Sequence, residues 1–218
     1  MSDSDLLDWL ERGKIALNGY YEQYHSRWDN NVLCEFNIGG ILLTPSNSFD
    51  KTQDKSAKGK PEIRLTGQID KIELLPNNQA RPHTHGMSVG VNVVDYKTGK
   101  PKSRNMIDGK TKSSDGNIRR QLVFYNLLLN HYGNDGPPSR DATARQSKYK
   151  MVSGDIDFVE PDEKGRYHKE RFEIAATEIK ELEKLIYKTT DEILNLKFWD
   201  KKCDSRDCEF CALQEAMV

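Results

Sequence analysis

Three residues carry chemistry by type and spacing: Asp70, Asp95 and Lys97. Asp95 and Lys97 sit in VVDYKTGK (residues 93–100), where two valines lead into the carboxylate and Thr98-Gly99 turns the chain. In a strand, successive side chains alternate between faces, so Asp95 and Lys97 share one face and Val94 and Tyr96 the other. Such a triplet is either an ion pair or a metal ligand beside a group that handles water, and alone it fits both. Asp70 lies in LTGQIDKI as the lone mid-strand carboxylate, among Leu65, Ile69 and Ile72. Burying it there is costly unless something compensates. A divalent cation shared with Asp95 would do so. Two carboxylates with a backbone carbonyl and waters suit hard Mg²⁺ or Mn²⁺. Lys97 would then orient or help deprotonate a metal-bound water, or stabilise charge building up at phosphorus. Gly67 would let another backbone or a substrate come close.

Elements able to position these groups are readable from the pattern. Residues 5–28 have helical spacing, with Leu6, Leu7, Leu10, Ile15, Leu17, Tyr20, Tyr21 and Tyr24 as candidate apolar positions. VLCEFNIGGILLT (residues 32–44) reads as two strands around Gly39-Gly40. The polar run 45–60 reads as a loop or hairpin tip, residues 62–75 as a strand, and MSVGVNVVDYK as the returning strand. A basic loop leads to a helix over 117–132 that Gly133 ends. RQSKYKMVSGDIDFVE reads as one long strand or two short ones, followed by a hairpin through Lys164-Gly165. Residues 175–198 read as a long helix with Ile179, Leu182, Ile186, Ile193, Leu194 and Leu196 near one face. The order predicts an α/β domain with a central mixed sheet flanked by helices.

The chain of 218 residues, 36% apolar and 31% charged, can bury a core beneath a wet surface. No apolar run approaches the ~20 residues that cross a bilayer, and the acidic, amphipathic start does not read as a signal peptide. A cytoplasmic location is the expectation. The net charge of −1 hides an asymmetry: residues 97–120 carry a balance of +6 and residues 155–184 one of −4. A basic stretch beside an acidic body is either a polyanion contact confined to one face or a solvated lysine-rich loop.

GQIDKI, then VVDYKTG, then QLVFY (residues 121–125) resemble, in that order, the successive motifs of RecB-type nucleases of the PD-(D/E)xK superfamily. The tail, with DIDFVEPDEKGR, a long helix, ILNLKFWD and DCEFC, resembles the end of such domains behind UvrD/Rep-like helicases. The resemblance covers residues 32–218. It implies a restriction-endonuclease-like core, read as one nuclease domain over 1–218 with a helical segment at 1–31 and a cysteine-containing tail at 199–218. It implies Asp70 and Asp95 as metal-binding acids, the Tyr96 backbone carbonyl as a further ligand, and Lys97 as the catalytic lysine. Gln121 and Tyr125, i and i+4 on one helical face, would stand beside the DNA strand, single or double. Lys100, Lys102 and Arg104 are candidate phosphate contacts. Glu35 resembles a glutamate often found in the strand before the G-x-x-D motif and is read as support, not as a ligand. A helicase, in cis or in trans, would be the partner, with DNA repair or recombination the setting, and no membrane is involved.

Two departures matter. Many members carry a histidine in an early helix that completes the metal sphere, whereas the early histidine here, His25, does not match that position. A catalytically inactive nucleic-acid-binding module therefore stands beside the nuclease reading. Some members also hold a [4Fe–4S] cluster on one early and three late cysteines. Cys34 with Cys203, Cys208 and Cys211 matches that count, but here the x2 pair comes last, so ordinary thiols are the expectation, ahead of a cluster and then of zinc. His83 and His85 are read as residues of a solvated turn.

Overall fold

Antiparallel strands can be joined by tight turns, but a parallel pair needs a crossover of a dozen or more residues. The basic stretch and the helix after it supply that crossover. In the computed structural model, five strands form one sheet in the order β1-β2-β3-β4-β5: β1 Val32–Leu43, β2 Ile63–Leu74, β3 Val89–Lys97, β4 Tyr149–Phe158 and β5 His168–Phe172. Only β3 and β4 run parallel. Between them lie α2 (Arg104–Ile107) and α3 (Asn117–His131). α1 (Asp3–Tyr24) precedes the sheet, and α4 (Ala176–Leu194) and α5 (Glu209–Ala216) follow it. This is a restriction-endonuclease-like α/β core. The structure describes residues 3–44, 61–76, 88–133, 147–197, 203 and 208–216. The runs read as the 45–60 loop and as the turn holding His83 and His85 lie outside them.

The two faces of the sheet differ in chemistry. One is apolar and carries α3, whose Leu122, Leu127, Leu128 and Leu129 are fully buried against Ile69, Ile72, Val91, Val93 and Ile156. Gly67 lies under α3: a Cβ there would meet Leu128 and Phe124. The expected close approach at Gly67 is thus made by helix side chains. α4 packs on α3 through Ile179 and Leu182. Arg119 ties the two helices together, bonding Glu178 of α4 at 2.7 Å and Asp108 at 3.0 Å.

The opposite face holds a buried polar ladder. Register places Asn92 beside Ser153, Val94 beside Asp155 and Tyr96 beside Asp157, with Arg171 and Lys169 next on β5. Asn92 donates to Glu73 at 2.8 Å and to Asp155 at 3.0 Å, and accepts from Ser153 at 2.7 Å. Arg171 grips Asp155 with two bonds, and Lys169 meets Asp157 at 2.7 Å. Buried carboxylates require such partners. α1 reaches this face through Tyr20, whose hydroxyl donates to Asp157 at 2.6 Å and whose ring packs on Tyr96 and Tyr167.

Three expectations change. Residues 32–43 are one strand with a register shift between Ile38 and Ile41, because Gly40 adopts a positive φ of 73° and forms a bulge rather than a turn. In α1, Leu6, Leu7, Leu10, Ile15, Leu17 and Tyr21 are exposed, and burial falls on Ala16 and Tyr20. Its helical spacing was sound, but its contacting face is short and aromatic. In the last long helix, Ile193, Leu194 and Leu196 are exposed, and Leu196 leaves the helix with φ 51°. The hairpin through Lys164-Gly165 is present. Asp162 accepts the backbone N–H groups of Lys164 and Arg166 there, and these bonds with His168 and the Arg166 side chain hold its carboxyl far below the usual range.

The start of α3 depends on two glycines pressed together. Gly109 and Gly116 have φ of 74° and 72°, and a Cβ on Gly109 would lie 2.8 Å from Gly116 Cα. Gly109→Ala meets both a left-handed backbone penalty and a backbone clash, so it should lower stability by at least about 1–2 kcal/mol. Gly13→Ala, in α1 with nothing within 4 Å of the new Cβ, should raise helix stability by up to about 1 kcal/mol. Paired thermal melts of the two variants read this contrast.

Candidate active site

The β2–β3 ladder ends at Lys71↔Val94. One step further, Asp70 stands opposite Asp95, and there the strands part. In the alternating antiparallel pattern set by the Leu75 N–H to Gly90 bond, the Tyr96 N–H would next seek the Ile69 carbonyl. It donates instead to Asp70 Oδ2 at 2.9 Å. The inward positions change parity at this level on both strands. On β1, Leu33 packs inward before Glu35 and Phe36 and Ile38 after it; on β2, Leu65 and Ile69 point inward before Asp70 and Ile72 after it. Glu35, which the β1–β2 register sets opposite Asp70, has φ 49° and accepts a hydrogen bond from Gln68 Nε2 across the kink.

Asp95 is 1% exposed. A closed ring surrounds it. Lys97 Nζ lies 2.6 Å from Asp95 Oδ2 and donates to Gln121 Oε1 at 2.6 Å. Gln121 Nε2 donates to the Tyr125 hydroxyl at 2.8 Å, and that hydroxyl donates to Asp95 Oδ1 at 3.3 Å. Strand alternation puts Asp95 and Lys97 on the α3 face, and helical i, i+4 spacing puts Gln121 and Tyr125 above them. Burial pushes the Asp95 carboxyl up, Lys97 opposes this, and the charge of Asp70 adds to it. The Tyr125 phenol is likewise pushed up, by burial first and then by Asp95, so it stays a proton donor.

These residues fit a hard divalent cation. The Lys97–Asp95 contact is close but poorly directed, so Asp95 Oδ2 is a buried oxygen without a hydrogen-bond donor. A second carboxylate, Asp70, is near enough to perturb both Asp95 and Tyr125. Oxygen donors of this kind match Mg²⁺ or Mn²⁺. Among the described residues no histidine joins the two acids in a three-ligand group. His25 stacks on Tyr21 at 4.5 Å and bonds the Tyr21 carbonyl, at the end of the helix whose Tyr20 touches the opposite face of the sheet.

The basic stretch is partly neutralised from within. Arg104 bonds Glu170 at 3.1 Å and the Arg171 carbonyl at 3.0 Å, and lies over the Phe172 ring. Lys110 pairs with Asp108 at 2.8 Å, and Arg120 with Asn117 and the Asp115 carbonyl. Lys100, Lys102 and Lys112 are exposed, with no side-chain partner among the described residues. The late cysteines converge: the sulfurs of Cys203, Cys208 and Cys211 all lie within 4.8 Å of one another, and Cys34, exposed on β1, is not among them. Residues that the motif reading passed over are Asn92, Asp155 and Asp157, each buried on the second face. Their signal was polar residues inside otherwise apolar strands: Asn92 in β3 and, at period two, S-x-D-x-D in β4.

No curated protein sequence matches the chain. A family model described as the PD-(D/E)XK nuclease superfamily matches residues 6–216. With Asp70, Asp95 and Lys97 placed around one strand fork, and a match over nearly the whole length, the chain belongs to the PD-(D/E)XK nuclease superfamily.

Proposed function

We propose that the protein is a Mg²⁺- or Mn²⁺-dependent deoxyribonuclease of the RecB type, working with a helicase in DNA repair or recombination. The observation that carries this reading is the closed ring of Asp95, Lys97, Gln121 and Tyr125 beside Asp70. A ring made only to stabilise the fold would not place a second carboxylate against a buried one. Asp70, Asp95 and the Tyr96 carbonyl would hold the ion, which when bound supplies charge neutralisation and a more acidic water.

The chain's own residues do the rest. Lys97 has three N–H bonds; it gives one to Gln121 and faces Asp95 Oδ2 at 2.6 Å with another, which leaves one for a phosphate oxygen or the attacking water. Gln121 and Tyr125 fix the Lys97 ammonium in place, which turns a flexible side chain into an oriented one. Water adds to phosphorus opposite the leaving oxygen and the bond to the 3′ oxygen breaks, leaving a 5′-phosphate and a 3′-hydroxyl. Lys100, Lys102 and Lys112 would hold the flanking phosphates. Among the described residues no histidine stands beside the acids, and this supports a second reading, a module that binds DNA without cutting it. Wild-type protein that binds DNA and never cleaves it with either metal would establish that module instead.

Lys97→Ala should abolish cleavage with metal present while melting like wild type, the loss appearing in single-turnover rate rather than in DNA affinity. Asp95→Asn should separate chemistry from folding. Its carboxyl is raised in the folded state, so ionising it opposes folding. That opposition is absent below the unfolded-state range and complete above the folded one. A neutral amide removes it, so the variant should melt at or above the wild-type temperature near neutral pH, yet be inactive and gain no stability from Mg²⁺.

DNA affinity across a salt series tests the lysines. Each phosphate contact contributes about 0.7–0.9 to the log–log slope. Neutralising Lys100, Lys102 and Lys112 should therefore flatten the slope by roughly 2–3. Neutralising Arg104 and Lys110, already engaged by Glu170 and Asp108, should change it less.

A further inference from the structure

We infer that Cys203, Cys208 and Cys211 form a binding site for one soft divalent cation, Zn²⁺ by chemistry, separate from the acids of β2 and β3. The three sulfurs lie within 4.8 Å of one another, and the Cys203 and Cys211 sulfurs are 3.6 Å apart. No disulfide joins them. Thiolates bound at about 2.3 Å to one tetrahedral zinc stand roughly 3.8 Å apart. A four-iron cube holds its terminal thiolates much further apart, because each sulfur sits on a different iron. The spacing here is that of ligands on a single ion.

Local structure supports the assignment. Cys208 stands just before α5, its carbonyl accepting the Ala212 N–H at 3.0 Å, and Cys211 falls in the first turn. One helical turn thus presents both sulfurs to the same side. The Cys203 N–H points at Cys211 Sγ at 3.4 Å, the N–H···S contact that supports a metal-bound thiolate. Cys203 is exposed, so an ion can enter from solvent. Among the described residues no histidine or carboxylate joins the group. Three thiolates are the protein ligand count of a zinc site whose fourth position is taken by a further donor. On binding, each of the three thiols gives its proton to solvent as its sulfur bonds the metal. The ion ties the first turn of α5 to the chain eight residues earlier.

The test uses full-length, reduced, metal-free protein carrying Asp95→Asn, so that the acid site contributes nothing to the signal. Titration with Co²⁺ should give thiolate charge-transfer absorption and the visible bands of tetrahedral cobalt, saturating at one equivalent and erased by one equivalent of Zn²⁺. Cys208→Ser or Cys211→Ser should weaken binding by more than about tenfold, and Cys34→Ser should leave it unchanged. Should a serine variant fail to fold, alkylation of the parent protein read by mass spectrometry decides. Zn²⁺ should shield Cys203, Cys208 and Cys211 while Cys34 reacts. The inference is overturned by the absence of saturable cobalt–thiolate bands, by equal alkylation of all four cysteines with and without Zn²⁺, or by purified protein holding iron and sulfide in a form that requires Cys34.

Discussion

Asp95 is a carboxylate buried where its charge is disfavoured, and the arrangement of the molecule follows from how its neighbours compensate. Lys97 has donors and no acceptor. Its bond to Gln121 therefore fixes which end of that amide faces it, which leaves the amide nitrogen facing Tyr125, whose proton must then point to Asp95. Each orientation is settled by the one before. The sequence of bonds closes only if α3 lies at the right height over β3. That height is set by Gly109 against Gly116 at its start and by Arg119 bound to Asp108 and Glu178. Groups far from the acids in sequence are thus part of what holds the ring around Asp95 together.

β3 serves both faces of the sheet with consecutive residues. Asp95 points into the apolar side under α3, while Tyr96 points into the polar ladder and packs against Tyr20 of α1. The Tyr96 backbone amide is held by Asp70. A charged, hydrogen-bonded layer is an unusual lining for a buried sheet face, and partial satisfaction would be costly. Here the rows Glu73–Asn92–Ser153 and Asp155–Arg171 run across four strands and meet nearly all of their own needs.

The grouping of Asp95, Lys97, Gln121 and Tyr125 was legible in the sequence because it obeys strand alternation and helical spacing, which need no tertiary information: D-x-K on one face, Q-x-x-x-Y on another. The hairpin at Gly165 and the stop at Gly133 were legible for the same reason. Parity changes were not. Nothing in VLCEFNI announces that Glu35 will take a positive φ, because that conformation exists only where Gln68 and the kink at Asp70 receive it. The apolar spacing of α1 misled because periodicity reports that a helix has a greasy side, not that anything covers it. The basic stretch likewise hid its partners, Glu170 and Glu178, some sixty positions away. Helical spacing brings Cys208 and Cys211 together, but the approach of Cys203 to them is tertiary and no spacing rule encodes it.

Among the described residues, α1 meets the body mainly at four positions: Arg12 with Glu160, the Ala16 carbonyl with Tyr167, Tyr20 with Asp157, Tyr96 and Tyr167, and Tyr24 with Tyr167 and Lys169. At 1.5 Å per residue, its 22 residues extend some 33 Å. So long a helix held at so few points has its own place in the energy landscape. Its amides should open to solvent at a lower free energy than those of α3 and β3, as a cooperative unit that detaches before the sheet melts. The protein would then possess a partly unfolded form in which the polar face of the sheet meets water while the acids of β2 and β3 keep their geometry.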